Sequence, residues 1–245
     1  MDRVLPNTPA SDTADYVARR AWIAEYFDRT ASAAWAQLTS DAPVSAVRRS
    51  VRAARDRMRT TLASWLPQDL TGRRILDAGC GTGALAIDLA ARGAHVLAID
   101  LAPTLVQLAA ERTPAALRER IDFRAGDMFD ASLGTFDHVV AMDSIIHYRA
   151  PEMMSVVNGF RSRATRSVLF TVVPRTPLLM VLHTLGRAFP RGERAPAIEP
   201  MSNKVLMEGL KSFEPHGWYM HQSLRVSGGF YTSQAIELRH EETAQ

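Results

Sequence analysis

From Arg73 onward, apolar residues fall into short runs that alternate with stretches of helical period. Ile75-Leu76 precedes an amphipathic segment over 84–92, and 95–99 precedes another over 103–112, with a further short run at 121–124. Short apolar runs bounded by turn residues suit buried strands, and apolar positions every three to four residues suit helices packed on a sheet. The series continues with a strand over 136–142, a helix over 151–163 and a strand over 167–173. Such alternation predicts an α/β fold, a mostly parallel sheet with helices on both faces. Upstream, 13–66 carries a helical period that is interrupted at Asp41-Ala42-Pro43 and stopped by Pro67. The organisation expected is an N-terminal helical extension, or substrate cap, over 1–68, followed by a domain over 69–245.

The pattern changes after residue 173. Residues 177–189 read as an apolar helix, and 190–200 as a loop rich in Pro, Arg and Gly that is too long for a minimal connection. An insertion at about 174–202 is therefore expected, as a lid or substrate wall. A helix over 203–213 follows. Apolar runs at 218–226 and 230–238 then flank Ser227-Gly228-Gly229, the signature of an antiparallel hairpin. The stretch 168–189 is apolar overall, but Pro174, Arg175, Pro177, His183 and Arg187 break it as a membrane span.

Composition narrows the reading. A chain of 245 residues with 47% hydrophobic content suits one decorated α/β domain. Cys80 is the single cysteine, so there is no internal disulfide framework, and no Cys/His spacing suggests a metal site. Residues 1–11 lack a leader pattern, which makes cytoplasmic placement the expectation. A net charge of +3 with dispersed basic residues argues against nucleic acid as a partner. One basic run, Arg48, Arg49, Arg52, Arg55, Arg57 and Arg59, lies on an expected helix and is read as a solvated face.

The strongest motif is Ile75-Leu76-Asp77-Ala78-Gly79-Cys80-Gly81-Thr82-Gly83, at a strand-to-helix turn. Its G-x-G-x-G spacing differs from the G-x-G-x-x-G of dinucleotide sites, and Asp77 just ahead of it is ill suited to a pyrophosphate. An acidic residue there suits a cationic ligand, and S-adenosylmethionine carries both an ammonium and a sulfonium. Asp77 is expected to hold the amino-acid end, and Gly79, Cys80 and Gly81 in the turn are expected to bind the cofactor. Asp100, closing the second strand, is placed to accept from the ribose hydroxyls. Leu101 and Met128 would pack on the adenine, Asp127 would accept from its amino group, and Met142 and Asp143 follow the fourth strand. Singly these residues also suit helix caps and core positions. Their order at successive strand ends is the pattern of a methyltransferase, and the fold expected is the Rossmann-like class I methyltransferase, a seven-stranded mostly parallel sheet closed by the C-terminal hairpin.

After the fourth strand the chain reads Asp143-Ser144-Ile145-Ile146-His147-Tyr148, without the N/D-P-P-Y/F of base amino-methylating enzymes. Small-molecule acceptors are favoured, and the His147 imidazole can hydrogen-bond an oxygen nucleophile. The run 139–152, together with 99–103, 189–198, 227–233, Tyr26-Phe27 and Trp35, resembles the magnesium protoporphyrin IX O-methyltransferases over nearly the whole chain beyond the first dozen residues. That resemblance implies methyl transfer from S-adenosylmethionine to a propionate of Mg-protoporphyrin IX in (bacterio)chlorophyll synthesis. Under it His147 and Tyr26 are the catalytic residues, one of Arg149, Arg175, Arg191 or Arg194 holds the second propionate, and the magnesium belongs to the substrate. It also implies handover from the magnesium chelatase porphyrin-binding subunit; peripheral contact with photosynthetic membranes is expected through the N-terminal helices or the apolar insertion. A methyltransferase of another lipophilic molecule, such as a quinone precursor, is the alternative.

Overall fold

The computed structural model describes residues 21–30, 36–37, 39, 43, 45–175 and 198–241. The expected helix over 177–189, Trp35, Arg191 and Arg194 lie outside them. Helix α1 (Ala46–Trp65) starts at Ser45, whose hydroxyl accepts from the Arg48 amide, and stops where Leu66 turns extended ahead of Pro67. Its Ala54, Met58 and Leu62, one turn apart, are fully buried.

Seven strands follow: β1 (Arg74–Ala78), β2 (His95–Asp100), β3 (Ile121–Ala125), β4 (Phe136–Ala141), β5 (Ala164–Val172), β6 (Trp218–Gly228) and β7 (Tyr231–His240). Between them lie α2 (Ala84–Ala91), α3 (Pro103–Arg112), α4 (Ala150–Arg161) and α5 (Asn203–Lys211). The sheet order is β3-β2-β1-β4-β5-β7-β6. All neighbours through β5 are parallel, and β7 is antiparallel to both β5 and β6. This is the expected fold, with strand bounds within three residues of the apolar runs: most strands extend past them, while β4 and β5 end one residue sooner and β7 begins one later. The added residues are held by backbone pairing, which asks nothing of side-chain hydrophobicity.

Alternation along each strand divides the core. Leu76, Leu97, Val139 and Phe170 face α4 and α5 through Val156, Phe160, Leu206 and Leu210. Their neighbours Ile75, Val96, Val140 and Leu169 face α1 and α2 through Met58, Leu62, Leu85 and Leu89. Helix α1 thus shares its core with the sheet. The strand order reverses between β1 and β4, and the crevice at that reversal, beyond the carboxyl ends, is where such sheets bind ligands.

Candidate active site

Strand β1 delivers Asp77 to the turn ahead of α2. The amides of Gly79 and Cys80 both donate to the Ile99 carbonyl, at 2.8 and 3.0 Å, which pins the turn to the end of β2. Gly79 has φ +84°, and a Cβ there would fall 2.2 Å from that of Ser144, so only glycine fits. Asp100 completes the attachment: one carboxylate oxygen accepts from the Gly81 amide at 2.8 Å and the other from Ala102 at 3.0 Å.

Above this turn lies a cavity of about 310 Å³. Asp77, Gly79, Cys80 and Gly81 line it from the first strand end, and Asp100 and Leu101 from the second. Asp127 and Met128 line it beyond β3, and Met142 and His147 beyond β4. Every residue expected to bind the cofactor is therefore brought to one wall. Asp127 also accepts from the Phe129 amide at 2.9 Å, so it caps its loop as well.

The wall is electrostatically unusual. Asp77 is 2% exposed, and its Oδ2 has no hydrogen-bond partner among the described residues. Burial, with the Asp100 carboxylate nearby, pushes its carboxyl up to about 7, against the pull of an amide bond from Ala86. Burial also raises Asp100, while its amide donors hold it down. The Cys80 thiol is pushed well up by burial and by both carboxylates, so it is a packed thiol rather than a nucleophile.

His147 is 7% exposed, with the Phe27 ring 5.8 Å from its own. Phe27 and Ile23 reach the cavity from an N-terminal segment that is helical over 21–25 and passes into a π-turn, Tyr26–Thr30. That segment is fastened by Asp28, which accepts from the hydroxyl and amide of Thr104 at 2.6 and 3.2 Å and so caps α3. Tyr26 does not line the cavity; its ring stands edge-on to Phe27 at 5.3 Å.

The basic run departs from the expected solvated face. Arg48, Arg49 and Arg57 are exposed, but Arg52, Arg55 and Arg59 line the cavity. The reason is spacing: three and four residues apart, they share a side of α1 adjoining its buried stripe. Arg59 is 2.9 Å from Asp88, and Arg55 is 2.7 Å from Asp143. Arg149 and Arg175, considered for the second propionate, are exposed and do not line the cavity. Asp143, noted after the fourth strand but given no role from sequence, has contacts that were not foreseen. Its φ of +55° is the one positive value among the described non-glycine residues, and its carboxylate is met from β5, β7 and α1.

S-adenosylmethionine fits this arrangement. Its ammonium matches the unpaired oxygen of Asp77, its ribose the acceptors of Asp100, and its adenine the Leu101 and Met128 side chains. Among the described residues no cluster of His, Cys, Asp or Glu could hold a metal ion.

Comparison with known proteins agrees with the geometry. Residues 141–240 match the family model "Magnesium-protoporphyrin IX methyltransferase C-terminus", and residues 75–164 match a general methyltransferase domain. The magnesium-protoporphyrin O-methyltransferase of Rhodobacter capsulatus is 45% identical over 227 residues, 92% of this chain and 98% of that one. Its counterpart from Synechocystis is 30% identical over 172 residues, 69% of this chain and 74% of that one. The crystal structure of magnesium protoporphyrin IX methyltransferase from Synechocystis with bound SAH superposes with a TM-score of 0.79 at 25% identity, covering 90% of this chain and 99% of that one. The strand-end carboxylates, the buried histidine and these relatives lead to one conclusion: the chain belongs to the magnesium-protoporphyrin O-methyltransferase family of class I, S-adenosylmethionine-dependent methyltransferases.

Proposed function

We propose that this chain methylates a propionate carboxylate of Mg-protoporphyrin IX, giving the monomethyl ester. The observation that carries the reading is the placement of His147, buried on the same cavity wall as Asp77 and Asp100 and five residues beyond Met142. S-adenosylmethionine supplies the electrophilic methyl group when bound. A propionate is ionised at neutral pH, so His147 has no proton to remove. Its imidazole instead donates a hydrogen bond that orients the carboxylate. Phe27 and Ile23 keep water from the reacting groups, which matters because an anion and a cation combine into neutral products. Tyr26, on the π-turn that brings Phe27 over His147, is assigned a second contact to the carboxylate through its hydroxyl.

Purified protein incubated with S-adenosylmethionine and either Mg-protoporphyrin IX or metal-free protoporphyrin IX tests the substrate. Monomethyl ester formed preferentially from the magnesium form supports it. Turnover of a phenolic quinone precursor with neither porphyrin accepted would replace it. His147→Ala should lower kcat at least tenfold while S-adenosylhomocysteine affinity changes little, and Tyr26→Phe should act in the same direction more weakly. Equal loss of both properties in His147→Ala removes it from the chemistry.

Delivery by the magnesium chelatase porphyrin-binding subunit, and a cytoplasmic protein in peripheral contact with photosynthetic membranes, belong to the same reading. They are supported by the hydrophobic character of the substrate. Among the described residues no helix is long and apolar enough to cross a membrane. Co-sedimentation with the loaded subunit and flotation with anionic vesicles test the two separately.

A further inference from the structure

A second cavity, of about 300 Å³, lies near the amino ends of the parallel strands, away from the cofactor. Its floor follows from strand register. His138 of β4 pairs with Ser167 of β5, and Ser167 with Arg239 of β7, so the three side chains stand in one row on the α1 face of the sheet. Trp65 to Pro67, where α1 stops, line the same cavity, as does Arg73 just ahead of β1. Because β4 and β5 lie between β1 and β7, Arg73 and Arg239 flank the His138–Ser167 pair.

Packing alone does not account for these residues. His138 is 5% exposed, and its Nε2 is buried without a hydrogen-bond partner among the described residues. Its Nδ1 meets Ser167 Oγ at 2.7 Å. That hydroxyl is buried too and has no other partner among the described residues, so it donates to Nδ1 and leaves the ring proton on Nε2. Burial pushes the ring down to about 4, so at neutral pH the orphan is a neutral N–H donor. Leaving such a donor unmatched is destabilising, and an acceptor placed there offsets the loss.

The flanking arginines are also far from saturated. Arg73 reaches Asp137 through Nη1 at 3.2 Å, and Arg239 reaches Glu237 through Nε at 2.8 Å. Among the described residues these are their only side-chain bonds, out of five N–H donors on each guanidinium. The two carboxylates are shared further, Asp137 with Arg166 and Glu237 with Gln222. Three guanidiniums set against two carboxylates leave the cavity with a net positive charge.

We propose that this second cavity binds the phosphate group of a small ligand, held between Arg73 and Arg239 over the His138 imidazole, whose Nε2–H it satisfies. Donors converging from two sides and the floor suit a tetrahedral oxyanion better than a planar carboxylate. The site is independent of the methyl acceptor. Inorganic phosphate and a phosphomonoester share the required chemistry.

The experiment titrates the full chain, saturated with S-adenosylhomocysteine so that the arginine-lined cofactor cavity is filled, with inorganic phosphate by calorimetry at pH 7.5. Chloride holds the ionic strength constant. One saturable site with a dissociation constant of about 1 mM or tighter is expected. Arg73→Gln and Arg239→Gln should each weaken phosphate about tenfold and leave S-adenosylhomocysteine affinity unchanged, since Asp137 keeps Arg166 and Glu237 keeps Gln222. Glycerol 3-phosphate separates the sources: tighter binding than inorganic phosphate assigns the site to a phosphomonoester, and weaker binding to the free ion. Heat that does not saturate, or binding untouched by both substitutions, means an adventitious ion only and overturns the proposal. Equal loss of phosphate and S-adenosylhomocysteine affinity makes the arginines structural and overturns it as well. Where a glutamine variant does not fold, Arg73→Lys and Arg239→Lys serve: a point charge in place of the fork should weaken phosphate severalfold, and unchanged affinity overturns the assignment.

Discussion

A carboxylate buried with one oxygen unpaired is costly to ionise, and Asp77 shows this in a carboxyl raised to about 7 from an ordinary 3.8. An ammonium placed there needs the ionised form. Cofactor binding below about pH 7 must therefore expel a proton from Asp77, and affinity for S-adenosylhomocysteine should rise from pH 6 to 8. Calorimetry in buffers of different ionisation enthalpy reads the release directly, approaching one proton per site at pH 6; no release would mean that Asp77 does not meet the ammonium. Asp77→Asn should weaken binding about tenfold or more, yet raise the melting temperature of the ligand-free protein at pH 8 by removing the buried charge. Asp77 and Asp100 were legible in the sequence because strand ends place them, and strand ends follow from local pattern. The contacts of Asp143 were not, since the residues that meet it lie 88, 28, 88 and 90 positions away. Only the sheet order brings them together.

At the scale of elements, α1 joins stability to ligand binding. Its Met58 is fully buried against the sheet, and removing that side chain opens a cavity, so Met58→Ala should cost about 2–5 kcal/mol by denaturant unfolding. Because Arg52, Arg55 and Arg59 ride on the same helix, cofactor affinity should fall with it. Arg49→Ala, on the exposed side, should stay within about 0.5 kcal/mol and leave affinity unchanged. The helix itself was visible from its period and from Pro67. Which of its arginines meet the cavity was not, because charge alone does not reveal a helix face whose partners, Asp88 on α2 and Asp143 after β4, are brought to it only by the fold. The N-terminal segment poses the same difficulty: Asp28 caps α3 across 76 residues, and α3's own cap position, Ala102, has no side-chain acceptor. Asp28→Ala should loosen the segment over His147 and raise KM for both substrates more than it lowers the melting temperature; an unchanged KM would detach this segment from the site.

Across the whole molecule, two buried groups at opposite edges of the sheet pull its response to pH in opposite directions. His138, in β4 near the amino ends of the strands, is 5% exposed, bonded to Ser167 through Nδ1 at 2.7 Å, and pushed down by burial to about 4 from 6.5. Between those values the unfolded chain binds more protons, so stability is complete above about pH 6.5 and is lost as pH falls toward 4. Asp77, at the carboxyl edge, has the opposite sign. Its folded value lies above its unfolded one, so between about pH 4 and 7 the ligand-free protein loses stability as pH rises. The two windows overlap, and in the ligand-free protein the slopes largely oppose each other. Removing the Asp77 contribution, by Asp77→Asn or by saturating S-adenosylhomocysteine, should therefore expose the histidine: the urea midpoint should climb more steeply from pH 5 to 6.5 than in the unaltered, ligand-free chain. Adding His138→Asn, which keeps a partner for Ser167, should flatten that climb again. Parallel curves for the unaltered and Asp77→Asn proteins would mean that Asp77 is already ionised without its ligand, and the cavity's demand for a cation would then have to come from Asp100 and Asp127 instead.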